Sequence, residues 1–170
     1  MQTWTQNFNA NQFNTGTTDA NTKSVLLEYG DAQNPGKPTR MTDKNGKLTT
    51  YTYDSFGNVL TMTTPRNVTT TYSYSYTDFQ LGRLTSVQEG TKPATTFTYF
   101  EPSGLLHTVT MPALGGGSGT VTTALTYDGL GNVLTATTPG NNAASSMTTT
   151  YKSLFENSKM TVIRLVLLRG

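Results

Sequence analysis

From Thr69 to Tyr76 polar and aromatic residues alternate, placing Tyr72, Tyr74 and Tyr76 on one side of an extended chain with Ser and Thr between them. The stretch from Val121 through Leu125 to Tyr127 repeats this period of two. Such a period predicts strands, and the runs end at clusters of Asp, Gly, Asn and Pro that predict turns. After each turn glycine the second residue is apolar: Leu48, Val59, Leu84, Leu106 and Val133. A further apolar residue stands three later, at Met62, Val87, Val109 or Ala136. Those two positions have opposite parity, so either a bulge realigns the returning strand or both faces of the sheet are partly covered.

The strand–turn–strand pattern is itself repeated. YDSFGNVLTMTTP occupies 53–65 and YDGLGNVLTATTP occupies 127–139, with degenerate copies starting at Tyr76 and Tyr99, so that the steps are 23, 23 and 28 residues. The last step is lengthened by PALGGGSG at 112–119, an expected loop insertion. A weaker unit starts at Tyr29, its turn falling either at NPGK (34–37) or within 42–51. The pattern divides the chain into a polar lead-in at 1–24, a repeat segment of four or five units at 25–152, and a tail without the repeat at 153–170. One hairpin of about twenty residues is marginal in water, so copies have to stack to share a core. The expected fold class is therefore all-β, built of stacked antiparallel β-hairpins. Its repeat-defining positions are Tyr53, Asp54, Gly57 and Asn58, Tyr76, Asp78 and Gly82, Tyr99 and Gly104, and Tyr127, Asp128, Gly131 and Asn132. The Asp side chains are expected to accept backbone N–H groups across the turn, the glycines to supply positive φ, and the tyrosines to form an aromatic ladder.

Composition narrows the function. Of 170 residues 34% are hydrophobic and 13% charged, and the net charge of +2 points to neither nucleic acid nor a membrane surface. There is no Cys, which removes disulfides, thiolate metal sites and thiol nucleophiles. The first 23 residues have neither a basic nor an apolar region of the secretory kind, and no apolar run reaches the length of a membrane helix.

The phrase Tyr-Asp-x-x-Gly-Asn-Val-Leu at 53–60 and 127–134, each continued by Thr-Thr-Pro two residues on, resembles the RHS repeat, also called the YD repeat. The resemblance implies that hairpins pack side by side into a spiralling sheet that closes into a hollow shell, as in bacterial polymorphic toxins, insecticidal toxin complexes and teneurins. It implies a structural, non-enzymatic role: a piece of wall that encapsulates a toxin or serves as a cell-surface scaffold, secreted or on the cell surface, without a cofactor. The implied partners are neighbouring YD repeats of a longer chain or further copies of this one, with a glycan or a toxin domain as cargo. Four or five units are too few to enclose a cavity. The tail SLFENSKMTVIRLVLLRG departs from the repeat grammar in the manner of a truncated or frame-shifted reading, and it supplies an expected strand or aggregation-prone segment. An uncapped stack of this kind is expected to be oligomeric or partly unfolded on its own.

The candidate chemistry outside the repeat is sparse. His107, the single histidine, occupies a slot held elsewhere by Leu60, Thr85 and Leu134, and has no nucleophile placed beside it. Asp54, Asp78, Glu101 and Asp128 recur with the turns, one per hairpin, which suits neither a pair of glycosidase carboxylates nor a calcium site. GGGSG at 115–119 lacks the Lys and the helix of a phosphate loop and reads as a flexible linker. Asn67-Val68-Thr69 fits a glycosylation acceptor. Strand aromatics flanked by Thr and Asn are the alternative of interest, because their faces can stack on sugars or on an extended peptide.

Overall fold

Threonine, tyrosine and valine set at alternate positions recur through the strands of this chain. The computed structural model describes residues 5–77, 80–113, 119–139, 146–156 and 159–168, and among these it contains strands and turns and no helix. The chain divides into two compact units, Met1–Lys92 and Pro93–Gly170. The first holds β1 (Thr5–Phe8), β2 (Asn14–Thr18), β3 (Ser24–Glu28), β4 (Arg40–Thr42), β5 (Leu48–Tyr53), β6 (Val59–Thr63), β7 (Thr69–Ser75) and β8 (Arg83–Glu89). Each strand pairs antiparallel with the next, forming a meander. The second unit is a like meander of β9 (Thr95–Tyr99), β10 (Leu106–Pro112), β11 (Thr120–Tyr127), β12 (Val133–Pro139), β13 (Ser146–Glu156) and β14 (Lys159–Leu168). Hairpin structure thus extends ahead of residue 25 through β1 and β2, and beyond residue 152 through β13 and β14.

Register explains the two-sided sequence. In the first unit Leu27 lies opposite Met41, Tyr51 opposite Met62, Tyr53 opposite Val59, Tyr72 opposite Val87 and Tyr74 opposite Leu84, so these residues share one apolar face. The reverse face is threonine. Thr50, Thr63 and Thr69 form one row and Thr52, Thr61 and Thr71 another. Hydroxyls meet across the strands, Thr52 with Thr61 at 2.7 Å and Thr63 with Thr69 at 2.9 Å. The second unit sorts itself the same way. Phe97 lies opposite Val109, Met111 opposite Val121 and Leu125 opposite Ala136 on one face, while Thr98–Thr108, Thr110–Thr122 and Thr126–Thr135 are hydroxyl pairs on the other.

A single sheet layer cannot enclose this apolar face. Among the described residues no hydrophobic side chain is buried, and the buried polar residues are Asn34, Thr70 and Thr149. Each strand contributes half of a core and leaves the other half to be supplied from outside the layer.

Candidate functional site: the bulged rim of the hairpins

Successive connections lie alternately at two rims of the meander. One five-residue turn serves both. At 9–13, 19–23, 43–47, 54–58, 64–68 and 128–132, the N–H of the first residue donates to the carbonyl of the fifth, and the N–H of the fourth returns to the carbonyl of the first. The first residue also supplies a side-chain acceptor. Asp54 Oδ1 takes the N–H groups of Phe56 and Asn58 at 2.8 Å each, and Asp43, Asp19, Asn9 and Asp128 do the same at their own turns. Thr64 Oγ1 takes the N–H of Val68. The fourth residue has positive φ whether it is Gly57, Gly46 and Gly131 or Gln12, Thr22 and Asn67. This is a three-residue hairpin loop ending in a left-handed residue. Both candidate turns of the weak unit exist: 43–47 joins β4 to β5, and Asn34–Lys37 lies in the longer β3–β4 connection.

The rims differ in the strand that leaves the turn. On the rim holding 9–13, 54–58 and the β7–β8 connection, the returning strand carries one extra residue. Thr52 faces Thr61 while Tyr53 faces Val59, so Leu60 bulges. Thr15, Thr85, His107 and Leu134 bulge in the same way. On the opposite rim, after 19–23, 43–47 and 64–68, no shift occurs. The bulge settles the parity problem, because it turns Val59 and Met62 to one face beside Tyr53 and Tyr51. Leu48, which comes after an unbulged turn, faces Thr42 on the threonine side, in one row with Leu26 beyond it, instead of anchoring the apolar side.

A bulge frees a carbonyl from the ladder, and tyrosine of the next unit takes it up. Tyr74 donates its hydroxyl to the Val59 carbonyl at 3.0 Å, Tyr29 to that of Asn14 at 2.6 Å and Tyr127 to that of Leu106 at 2.8 Å. Tyr53 reaches the Pro38 carbonyl at 2.7 Å. What joins these tyrosines to their neighbours is therefore a staple through the hydroxyl, and the expected aromatic ladder gives way to it. In the third unit the residue in the Tyr53 position is Tyr74. Tyr76 lies past the end of β7, where its hydroxyl donates to Asp54 Oδ2 and its ring stacks on Phe56 at 5.3 Å. We expect Tyr74→Phe to cost about 1–2 kcal/mol by orphaning a half-buried carbonyl. Tyr72→Phe, on the same strand, should cost almost nothing; urea denaturation of the two variants provides the comparison.

Three rim loops of the first unit are cross-tied. The Asn34 amide donates to the Asp31 carboxylate and to the Asp54 carbonyl, each at 2.9 Å, and Asn58 Nδ2 donates to Asp54 Oδ2 at 2.9 Å and to the Leu81 carbonyl at 2.6 Å. Burial pushes the Asp54 carboxyl up, but the bonds from Tyr76, Asn58 and Phe56 outweigh it and hold the group below its ordinary range. Hydrogen bonding to Asn132 lowers Asp128, and hydrogen bonding to Asp54 raises Tyr76. Gly57 (φ +83°) and Gly82 (φ +85°) sit where these loops approach one another. Asn132 repeats the bond of Asn58 to its own turn Asp, at 3.0 Å.

The other repeat positions lie in the second unit or at its loops. Tyr99 faces Leu106 across the fourth bulge, and Gly104 (φ +71°) closes a connection one residue longer, with Phe100 N–H on the Leu105 carbonyl at 2.8 Å. His107 packs its ring on Phe100 at 4.2 Å between centroids. Asp78 and residues 114–118, which hold most of the GGGSG segment at 115–119, lie outside the described residues. Sequence reading offered the turn at 43–47 as one alternative but missed those at 19–23 and 64–68, where an Asp or Thr precedes a strand start without the Gly and without the Tyr that marks the other rim.

The family model described as RHS Repeat matches residues 36–69, the segment in which three of these turns succeed one another. No curated protein gives a match. Among solved structures the chain is similar to TcdB2-TccC3 without its hypervariable C-terminal region, at 16% identity and a TM-score of 0.58. It is also similar to TcdB2-TccC3-TEV at 15% and 0.57, and to TcdB2-TccC3-Cdc42 at 18% and 0.52. Each likeness covers 95% of this chain and 10% of the other, so the chain spans about a tenth of the proteins it resembles in fold.

Proposed function

We propose, from an RHS-repeat chain whose fold is that of a tenth of much larger proteins, that it is a non-enzymatic segment of wall in a secreted or cell-surface RHS shell. The repeat positions Tyr53, Asp54, Gly57, Asn58, Tyr127, Asp128, Gly131 and Asn132 act in this reading as turn and staple groups. The observation that carries it is the uncovered apolar face: all its described hydrophobic side chains remain partly exposed, so they await protein on the far side of the layer. The turn carboxylates of Asp54 and Asp128 support it, since each is engaged by the backbone of its own turn. Neighbouring repeats would complete the wall, and a toxin domain would be the cargo behind it.

The test compares this chain with a longer protein that contains it. The isolated chain should bind a hydrophobic dye strongly and exchange the amides around Tyr51 and Tyr72 quickly. The same amides should be protected in the longer protein. Equal exchange in both would end the wall reading.

One observation favours a second reading. The hydroxyls of Tyr51 and Tyr72 make no hydrogen bond among the described residues, unlike those of Tyr53 and Tyr74, and both lie on the same half-exposed face. A glycan or an extended peptide could stack there. Binding on a glycan or peptide array that is lost in Tyr72→Ala, with circular dichroism unchanged, would place this reading first.

A further inference from the structure

On the unbulged rim of the first unit a groove of about 820 Å³ opens between the turns 43–47 and 64–68, within the size range of small-molecule sites. Its apolar lining is Met62, Pro65 and Val68, and Thr70 lines it too, opposite Met62 across the β6–β7 ladder. Thr70 is one of the three buried polar residues, at 9% exposure. Its hydroxyl makes no hydrogen bond among the described residues and is not sealed from solvent. The neighbouring threonine hydroxyls are occupied: Thr69 pairs with Thr63 at 2.9 Å, and Thr64 serves the Val68 N–H and carbonyl of its own turn.

A hydroxyl carried into an apolar lining without a partner costs folding free energy, and valine would fill the same strand position without that cost. A ligand with a polar group at that depth would complete it. The charges set the other end of the ligand. Both acids of the lining are engaged: Asp43 Oδ1 accepts the N–H groups of Asn45 and Lys47 at 2.8 Å each, and Glu89 Oε1 is paired with Lys92 at 3.0 Å. The two cations of the lining, Lys47 and Arg66, form no ion pair among the described residues. One stands on each turn that flanks the groove, so an anion held between the turns has both within reach. Thr70 is the second residue of β7, roughly 10 Å inward from the tip at Arg66. Cations at the mouth, a methionine and a proline along the wall and a free hydroxyl at depth make a sequence of contacts that one flat, elongated acid can satisfy.

We propose that this groove binds a small hydroxylated aromatic carboxylate, its carboxylate between Lys47 and Arg66, its ring against Met62, Pro65 and Val68, and its hydroxyl bonded to that of Thr70. The charge gives the acid its preference over a neutral analogue, and Thr70 gives the hydroxylated ring its preference over a bare one.

Saturation-transfer NMR of the full chain, titrated with phloretate, hydrocinnamate and phloretamide, tests this. Phloretate should bind saturably. Hydrocinnamate, which lacks the phenol, should bind about threefold more weakly, and phloretamide, which lacks the charge, about tenfold more weakly. Added salt should weaken phloretate and leave phloretamide unchanged. Lys47→Ala/Arg66→Ala should abolish the preference for the acid over the amide. Thr70→Val should abolish the preference for phloretate over hydrocinnamate while stability in urea stays at least as high, because the hydroxyl bonds nothing within the fold. Those two losses, each confined to its own variant, establish the site. Absence of saturable binding, equal binding of acid and amide, or preferences that survive the substitutions overturn it and leave contact with the open apolar face as the source of any signal. A fall in urea stability in Thr70→Val also overturns it, by giving that hydroxyl a part in the fold.

Discussion

Gly82→Ala should be the most damaging single-methyl change in the first unit, at about 2–4 kcal/mol. Gly82 has φ +85°, a region in which a side chain itself costs about 1–2 kcal/mol. A Cβ there would stand 2.6 Å from Tyr76 Cε1 and 2.9 Å from Asn58 Nδ2, and that amide is already committed to the Leu81 carbonyl and Asp54. Neither neighbour can yield without breaking a bond between units. Gly57→Ala should cost less. Its Cβ would meet the flexible end of Lys37 at 2.5 Å, which swings aside, and Asn34 Oδ1 at 3.0 Å. Gly46→Ala should cost only the backbone term, because nothing lies within 4 Å. The reverse experiment has the opposite sign: Thr22 occupies the same turn position at φ 62°, so Thr22→Gly should stabilise by about 1 kcal/mol. Urea denaturation of the four variants gives the order directly. A loss in Gly46→Ala as large as in Gly82→Ala would show that the loops do not press on one another as described.

This series also marks where the sequence stops being legible. YDSFGNVL and YDGLGNVL disclosed the turn because Tyr, Asp, Gly and Asn all fall in one phrase, and the period of two disclosed the strands. The same turn at 19–23 and 64–68 has Thr22 or Asn67 in place of Gly and no tyrosine ahead, so identical backbone hydrogen bonding is written there in other letters. Side-chain acceptors at the first position do the work that glycine was expected to share. The bulge is invisible for another reason: it exists only as a relation between two strands, and the parity of Val59 and Met62 hinted at it without choosing it over two covered faces. Spacing misplaced one tyrosine for the same cause. Tyr76 matches the phrase, whereas Tyr74 has the partner strand opposite it and the Val59 carbonyl within reach. Staples of this kind arise from pairing and not from periodicity.

Asp54→Ala should destabilise the first unit by about 1–2 kcal/mol, and Asp128→Ala should destabilise the second by clearly less. Both carboxylates accept two turn N–H groups and the amide of the Asn that closes the turn. Only Asp54 also receives the Tyr76 hydroxyl, and only Asn58 continues to the next loop through the Leu81 carbonyl. Removing Asp54 therefore loosens a turn and a link between turns together. The same bonds set the pH limits. Asp19, Asp31, Asp54 and Asp128 are all held below their ordinary value, Asp19 chiefly by Lys44 and Asp31 chiefly by Asn34. The folded state thus binds fewer protons than the unfolded one, so this stabilisation is complete above about pH 4 and is lost as pH falls through the lower folded values. Tyr53 and Tyr74, raised by burial, and Tyr76, raised by its bond to Asp54, act at the other end. Their contribution is complete below about pH 10 and is lost as pH rises through the raised values. Stability measured against pH should show a plateau with these two shoulders. In Asp54→Asn the acid shoulder should shrink and the Tyr76 phenol should titrate nearer its ordinary value, two changes that the Asp128→Asn substitution should not produce together. An alkaline titration of Tyr76 unaffected by Asp54→Asn would break the link between the two loops that both predictions rest on.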